Sequence, residues 1–261
     1  MRYLKKSLGQ NFLIDKNIIR KIVNLVDIKN KNVIEIGPGN GALTDEILSR
    51  APESLSIIEK DNHFAQTLKK KYSKIKYIKI YNSDVLKFDV EKLSITDSVI
   101  FGNLPYNISS QILIKILNFK KWPPNFSNLV LMFQKELADK IIGKYKTRDY
   151  GRLSIISNLR LDMIEKFLVS PNCFFPKPKV NSIVINFRPK LNKSFKIKNI
   201  KNLEKVTNVL FSSKRKMINK NIRKILKDNQ IKNIKNFNIN LRPSEIKPEI
   251  YYKITEMVEG N

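Results

Sequence analysis

The chain of 261 residues carries 50 Lys and Arg against 23 Asp and Glu, a formal net charge of +27, with 42% hydrophobic residues. That apolar fraction supports a packed core and excludes a fully disordered chain, and the length fits one large α/β domain, alone or with a small appendage. A single cysteine, Cys173, excludes an internal disulfide framework and a cysteine-based zinc site, and no apolar run approaches the ~20 residues that span a bilayer.

From the N-terminus, "MRYLKKSLGQNFLID" is basic and is followed by no apolar signal core, so a cytoplasmic protein without a membrane anchor is expected. Asp15 caps a predicted helix over "KNIIRKIVNLV", with Ile18, Ile22, Leu25 and Val26 on one face. "NVIEIG" reads as a buried strand, "GALTDEILSR" as a helix, "SLSIIE" as a strand and "NHFAQTLKKKY" as a helix. "KYIKIYN" and "DSVIFGN" read as strands, "SSQILIKIL" as a helix, and "NLVLMFQ" as a strand feeding the helix "KELADKII". Such alternation predicts a mostly parallel, doubly wound α/β sheet. "DMIEKFLVS" and "VNSIVINF" are joined by "PNCFFPKPK", which leaves no room for a crossover helix and predicts an antiparallel arrangement. Beyond Pro189 the strand signal stops. "NLEKVTNVLFSS", "KRKMINKNIRKILKD" and "KPEIYYKITEMVE" read as helices, so a domain over residues 1–189 is expected to precede a helical one over 190–261.

The charge is unevenly spread. From Arg188 to Lys235 sixteen Lys or Arg face two acids, whereas the region around Glu35, Asp45, Glu46, Glu53, Glu59 and Asp61 is nearly balanced. A basic C-terminal third points to a polyanionic partner, although the abundance of Lys, Asn and Ile also fits drift in an AT-rich genome. Lys214, Arg215 and Lys216 are the first candidates for phosphate contacts. Helical spacing turns Met217, Ile218, Ile222 and Ile225 inward and leaves Lys220, Arg223 and Lys224 partly outward.

Ligands of parallel α/β sheets bind beyond the C-terminal ends of the strands. There "EIGPGNG" places Gly37, Gly39 and Gly41 at alternate positions, which suits a tight turn approached by a ligand but departs from the G-x-G-x-x-G dinucleotide fingerprint. Glu59, twenty-two residues beyond Gly37, stands where a carboxylate accepts the hydroxyls of a ribose. Asp84 follows the next strand and reads equally as an acceptor for an adenine amine or as a cap. A nucleoside without a pyrophosphate grip fits this set, and S-adenosyl-L-methionine is such a ligand; no G-x-x-x-x-G-K-[ST] is present.

"IGPGNG", the acid at Glu59, "FGNLPYNISS", "KSLGQNFLID" and "FFPKPKVNSIVINF" together resemble the ribosomal RNA adenine N6,N6-dimethyltransferase family, from about Lys5 to "RPSEIKPE" near the C-terminus. The resemblance implies a Rossmann-like class I methyltransferase fold, a mostly parallel seven-stranded sheet with helices on both faces and a small C-terminal helical domain. It also implies S-adenosyl-L-methionine as methyl donor with no metal. Its small-subunit branch would act as a monomer on small-subunit rRNA in a pre-ribosomal particle, dimethylating two adjacent adenosines of a hairpin near the 3′ end. By the same resemblance Asn11 and Leu13 lie at the methionine end of the cofactor, and Asn103 contacts both cofactor and target.

"FGNLPYNISS" holds no group that titrates near neutrality, which suits amine methylation, where no base need deprotonate the nitrogen first. The exocyclic amine of adenine is a weak nucleophile whose hydrogens need acceptors. The Asn103 side chain and the Leu104 carbonyl, or one close to it, supply them; Pro105 stiffens the turn and Tyr106 stacks on the base. Phe174 matches the family position for a second stacking ring, with Phe175 as the other candidate. His63 reads as a helix-surface residue. Gln111 stands where the family usually has proline. Pyrimidine C5 methylation would need a cysteine nucleophile, and methylation of a protein glutamine would need no basic domain. A large-subunit rRNA adenine methylase and a non-catalytic rRNA-binding assembly factor are the remaining alternatives.

Overall fold

A computed structural model describes residues 11–191, 194–235 and 237–260; "KSLGQ", the start of the N-terminal resemblance, lies outside them. The backbone divides into two compact units, Met1–Ala138 with Asp162–Pro189, and Asp139–Leu161 with Lys190–Asn261.

The first unit is built on alternating strands and helices. Strand β1 (Phe12–Leu13) leads to α1 (Lys16–Val23), whose Asp15 side chain accepts from the backbone N–H groups of Asn17 and Ile18. Then come β2 (Asn32–Ile36), α2 (Ala42–Leu48), β3 (Ser54–Glu59), α3 (Asn62–Lys71), β4 (Ile78–Asn82), β5 (Ser98–Asn103), α4 (Ser109–Leu117), β6 (Phe126–Gln134) and α5 (Lys135–Ile141). After α6 (Arg152–Arg160) the chain returns as β7 (Leu161–Val169), β8 (Phe174–Phe175) and β9 (Ser182–Pro189).

Seven of these strands form one sheet in the order β4–β3–β2–β5–β6–β9–β7. The pairs β2–β3, β3–β4, β2–β5 and β5–β6 are parallel, and β9 runs antiparallel to β6. Successive strand residues point to opposite faces, and both faces are covered. Val33, Leu55, Ile57, Val99, Phe101 and Val130 pack with Ile19, Ile22, Leu43, Ile47 and Leu68 of α1, α2 and α3. Their alternates Ile34, Ile36, Ile100, Leu129 and Leu131 are buried as well. The near-continuous apolar runs of β2, β5 and β6 follow from this double burial. Strand order reverses between β2 and β5, which places a topological switch point at their C-terminal ends.

A second, two-stranded sheet pairs β1 with β8 antiparallel, Phe12 opposite Phe175 and Leu13 opposite Phe174. Strands this short carry almost no periodicity, and "GQNFL" read by itself is an ordinary loop.

The second unit holds α7 (Ile200–Leu210), α8 (Asn219–Ile222), α9 (Asp228–Lys232) and α10 (Pro248–Glu259). It also takes in Asp139–Leu161, which the reading of the sequence assigned to the first domain. Tyrosine hydroxyls hold that segment to the C-terminal helices. Tyr145 donates to the Glu245 carbonyl at 2.9 Å, Tyr150 to Ile246 at 2.8 Å, and Tyr252 to Ile155 at 2.8 Å. Helix α6 had no strong signature because its nine residues, "RLSIISNLR", lack a clear apolar stripe. The single helix expected over "KRKMINKNIRKILKD" is instead a turn and the four-residue α8. Among the described residues no helix is long and apolar enough to cross a membrane.

Candidate active site

A cavity opens at the C-terminal ends of β2, β3, β4 and β5. Its floor is the glycine turn after β2. Gly37 has φ +70°, and Gly39, with φ +56°, lies beneath the Phe12 ring, where an added Cβ would stand 2.6 Å from Cε1. Positive φ and that close approach both require glycine. The Phe12 ring is braced edge-on by Phe64, with ring centroids 5.2 Å apart. Asn11 and Leu13 line the same wall.

Glu59 ends β3 beside this turn and is 6% exposed. Its Oε2 accepts from the Gly39 N–H at 3.1 Å and its Oε1 from the Asp61 N–H at 2.7 Å. Burial pushes its pKa up, while the backbone donors oppose that shift. Glu59 therefore pins the glycine turn and also lines the cavity, with lone pairs remaining on both oxygens. Asp84, beyond β4, takes the capping role of its two sequence readings and also lines the cavity. Its Oδ1 caps the turn by accepting from the Leu86 N–H at 2.9 Å, and its Oδ2 pairs with Lys60 Nζ at 2.9 Å on the cavity wall. The bond to the Lys60 ammonium, foremost, lowers its pKa.

Glu35 is a lining residue that sequence reasoning passed over. It is 1% exposed on β2; Thr44 Oγ1 donates to its Oε2 at 2.7 Å, and its Oε1 has no hydrogen-bond partner among the described residues. Burial, foremost, pushes its pKa up to about 8. The available signal was an acid enclosed by Ile34 and Ile36 in an otherwise apolar strand, two residues before the first glycine.

Strand β5 delivers the opposite wall. Asn103 is its last residue, and its Nδ2 donates to the Asn11 carbonyl at 3.3 Å. A carbonyl neighbour can accept only from the amide NH2, so the Asn103 oxygen is left as an acceptor. Among the described residues, no hydrogen bond reaches that oxygen or the Leu104 carbonyl. The Leu104 side chain is buried, folded over Gly102, where an added Cβ would stand 2.6 Å from Leu104 Cδ2. Pro105 and Tyr106 complete this wall, and the Tyr106 hydroxyl bonds Ser182 Oγ at 2.7 Å. Helix α4 begins at Ser109 and runs through Gln111, so the helix forms without a proline there.

Like Phe175, Phe174 is not among the residues that line the cavity. It is 3% exposed within the hydrophobic core, because alternation along β8 sends it inward and leaves Phe175 44% exposed. In the second unit Lys214, Arg215, Lys216, Lys220 and Arg223 are all exposed. Arg223 pairs with Asp228 at 3.0 Å, whereas the other four have no ion-pair partner among the described residues. Met217, expected to face inward, is 53% exposed because the turn breaks the helical period; Ile218 and Ile222 are buried.

The sheet order and a cavity at the switch point define a Rossmann-like methyltransferase fold with added C-terminal helices. The ribosomal RNA adenine dimethylase family model matches residues 1–259, and the chain belongs to that family. It is 46% identical to the ribosomal RNA small subunit methyltransferase A of Pelagibacter ubique, over 98% of this chain and 97% of the relative. It is 41% identical to the protein of that name from Malacoplasma penetrans, over 97% of this chain and 91% of the relative. The crystal structure of a dimethyladenosine transferase from Plasmodium falciparum is similar with a TM-score of 0.73 and 25% identity, over 93% of this chain and 95% of that one. The 23S rRNA methyltransferase ErmE shares the fold, with a TM-score of 0.69 and 23% identity over 95% of this chain and 99% of its own.

Proposed function

We propose that this chain transfers methyl groups from S-adenosyl-L-methionine to the N6 amine of adenosines in small-subunit rRNA. The observation that carries the reading is the pair of open acceptors, Asn103 Oδ1 and the Leu104 carbonyl, on a cavity whose opposite side holds Glu59 and the glycine turn. The cavity suits the cofactor on this structure's own terms. The turn carries no Cβ at Gly37 on the cavity lining, and the Glu35 carboxyl has an oxygen with no hydrogen-bond partner among the described residues, suited to an amino group. Asn11, Leu13 and Gly37 would hold its amino-acid end, Glu59 its ribose and Asp84 its adenine. When bound, the cofactor supplies an electrophilic methyl on a sulfonium that leaves as a thioether.

The protein's own contribution is positioning. Asn103 Oδ1 and the Leu104 carbonyl accept the two amine hydrogens, which weakens delocalisation of the nitrogen lone pair into the ring and directs it toward the donor. Tyr106 provides a face for the extruded base, worth about 1–3 kcal/mol. The nitrogen forms its new bond to carbon as the carbon–sulfur bond breaks, and the proton it then sheds passes to solvent. No side chain must titrate. Phe175, the exposed ring of "FFP", replaces Phe174 as the second candidate to meet the base. Lys214, Arg215, Lys216 and Lys220 bind RNA phosphates in this reading. Two adjacent adenosines near the 3′ end, a pre-ribosomal particle as substrate, a monomeric enzyme and a cytoplasmic location complete it.

Unmethylated small subunits incubated with the protein and methyl donor should gain N6,N6-dimethyladenosine, mapped by mass spectrometry of the rRNA. Asn103→Ala should abolish most of the transfer while retaining much of the RNA affinity. Transfer only to large-subunit RNA, or a wild-type rate in Asn103→Ala, would overturn the proposal.

A further inference from the structure

Tyr106 follows a strand end and a proline, and its partly exposed ring would be free to swing about χ1 were its hydroxyl not held. The holding group comes from 76 residues further along the chain. Tyr106 Oη and Ser182 Oγ are 2.7 Å apart. Ser182 is the first residue of β9 and is fully buried. Its place follows from the sheet: β5 and β6 run parallel, β5 ends at the cavity, and antiparallel β9 begins beside the end of β6. Asn103 lies beside Met132 of β6, and Ser182 beside Gln134, two residues further on. A strand anchors Ser182 on its backbone, and Tyr106 is the only hydrogen-bond partner of its hydroxyl among the described residues.

We propose that Ser182 is a positioning residue for methyl transfer: it fixes where the Tyr106 ring stands, and through it the position of the target base. This rests on the reading of Tyr106 as the base's stacking face. The bond ties the ring at the end farthest from Cα, where a small change in χ1 gives the largest displacement, so one contact restrains the direction in which the ring points. Burial, foremost, pushes the Tyr106 phenol pKa up, so the hydroxyl stays protonated and able to share its hydrogen with Ser182 near neutral pH.

The test is a mutant cycle on the full-length protein, with unmethylated small subunits as substrate and S-adenosyl-L-methionine affinity followed by calorimetry. Ser182→Ala should lower kcat/KM about three- to ten-fold, the scale of one hydrogen bond, with cofactor affinity unchanged. Tyr106→Phe removes the same bond from the cavity side and should match it. The double variant should be no worse than either single one, an outcome that a general loss of packing at β9 would not produce. RNA carrying 2-aminopurine at the target position should show weaker quenching with both single variants. If Ser182→Ala fails to fold, Tyr106→Phe and the 2-aminopurine signal decide. A wild-type kcat/KM in either single variant, or multiplied losses in the double variant, would overturn the proposal. Tyr106→Ala separates the two readings. If it too keeps the wild-type rate, the stacking role itself falls; if it is impaired while Ser182→Ala is not, only the Ser182 inference falls.

Discussion

Two buried carboxyls shape the cavity, and each has a testable consequence. Glu35 has a folded-state pKa of about 8 against an ordinary value of 4.5, so the folded protein holds a proton there that the unfolded chain releases. Its contribution to stability is full below pH ~4.5 and is lost as pH rises through about 8, at about 1.4 kcal/mol per pH unit within that window. Glu35→Gln cannot ionise. Urea unfolding at several pH values should show the variant gaining on the wild type between pH 5 and 8, and parallel profiles would refute the buried-acid account. Glu59 carries a double role that its offset from Gly37 did not disclose. Glu59→Ala should weaken S-adenosyl-L-methionine binding by about 1.5–3 kcal/mol through the lost ribose acceptor. It should also lower stability by about 1–3 kcal/mol for each backbone donor stranded at Gly39 and Asp61. Calorimetry showing unchanged affinity in a folded variant would remove Glu59 from the binding site.

At the scale of elements, the glycine turn and β1 form one device. Phe12 is presented by a two-residue strand that exists only because β8 pairs with it, and its ring occupies the space that Gly39 leaves free. Gly39→Ala combines two penalties, a left-handed φ worth about 1–2 kcal/mol and a clash worth about 1–3 kcal/mol. Adding Phe12→Ala should relieve the clash and leave the backbone penalty, so the double variant should be less destabilised than the sum of the two single ones. Thermal melts of the four proteins measure this, and strict additivity would show that ring and turn are not coupled. Most strands of the main sheet were legible as short, largely apolar runs, although β4 and β7 carry charged residues within them. Strand β1 was not, since two residues have no period to read.

Across the whole molecule, positive charge is concentrated in the C-terminal third, and the proposal assigns phosphate contacts to only a few of its lysines and arginines. Lys214, Arg215 and Lys216 stand exposed on a turn without ion-pair partners among the described residues, while Arg223 is engaged by Asp228. Replacing the first three with alanine should flatten the log–log dependence of RNA affinity on salt by about 2 to 3 units, because each phosphate contact contributes about 0.7–0.9. Arg223→Ala should change the slope by less. S-adenosyl-L-methionine affinity should not move. A triple variant with the wild-type slope would mean that these residues are solvated and contact no phosphate.

Local pattern sufficed for the strand–helix alternation, the glycine turn, the acid closing β3 and the Asn-Leu-Pro-Tyr segment, because each is written in consecutive residues whose period or spacing has a direct steric cause. What that pattern could not reach depends on which strands become neighbours. The Asn103 amide is oriented by a carbonyl 92 residues earlier, and Tyr106 is held by a hydroxyl 76 residues later. The second unit recruits Asp139–Leu161 through tyrosine bonds spanning about a hundred residues. Phe174 and Phe175 are chemically identical in the chain, and only the pairing of β8 with β1 decides which is buried. Sheet order sets these relations, and sheet order arises from packing the whole chain at once.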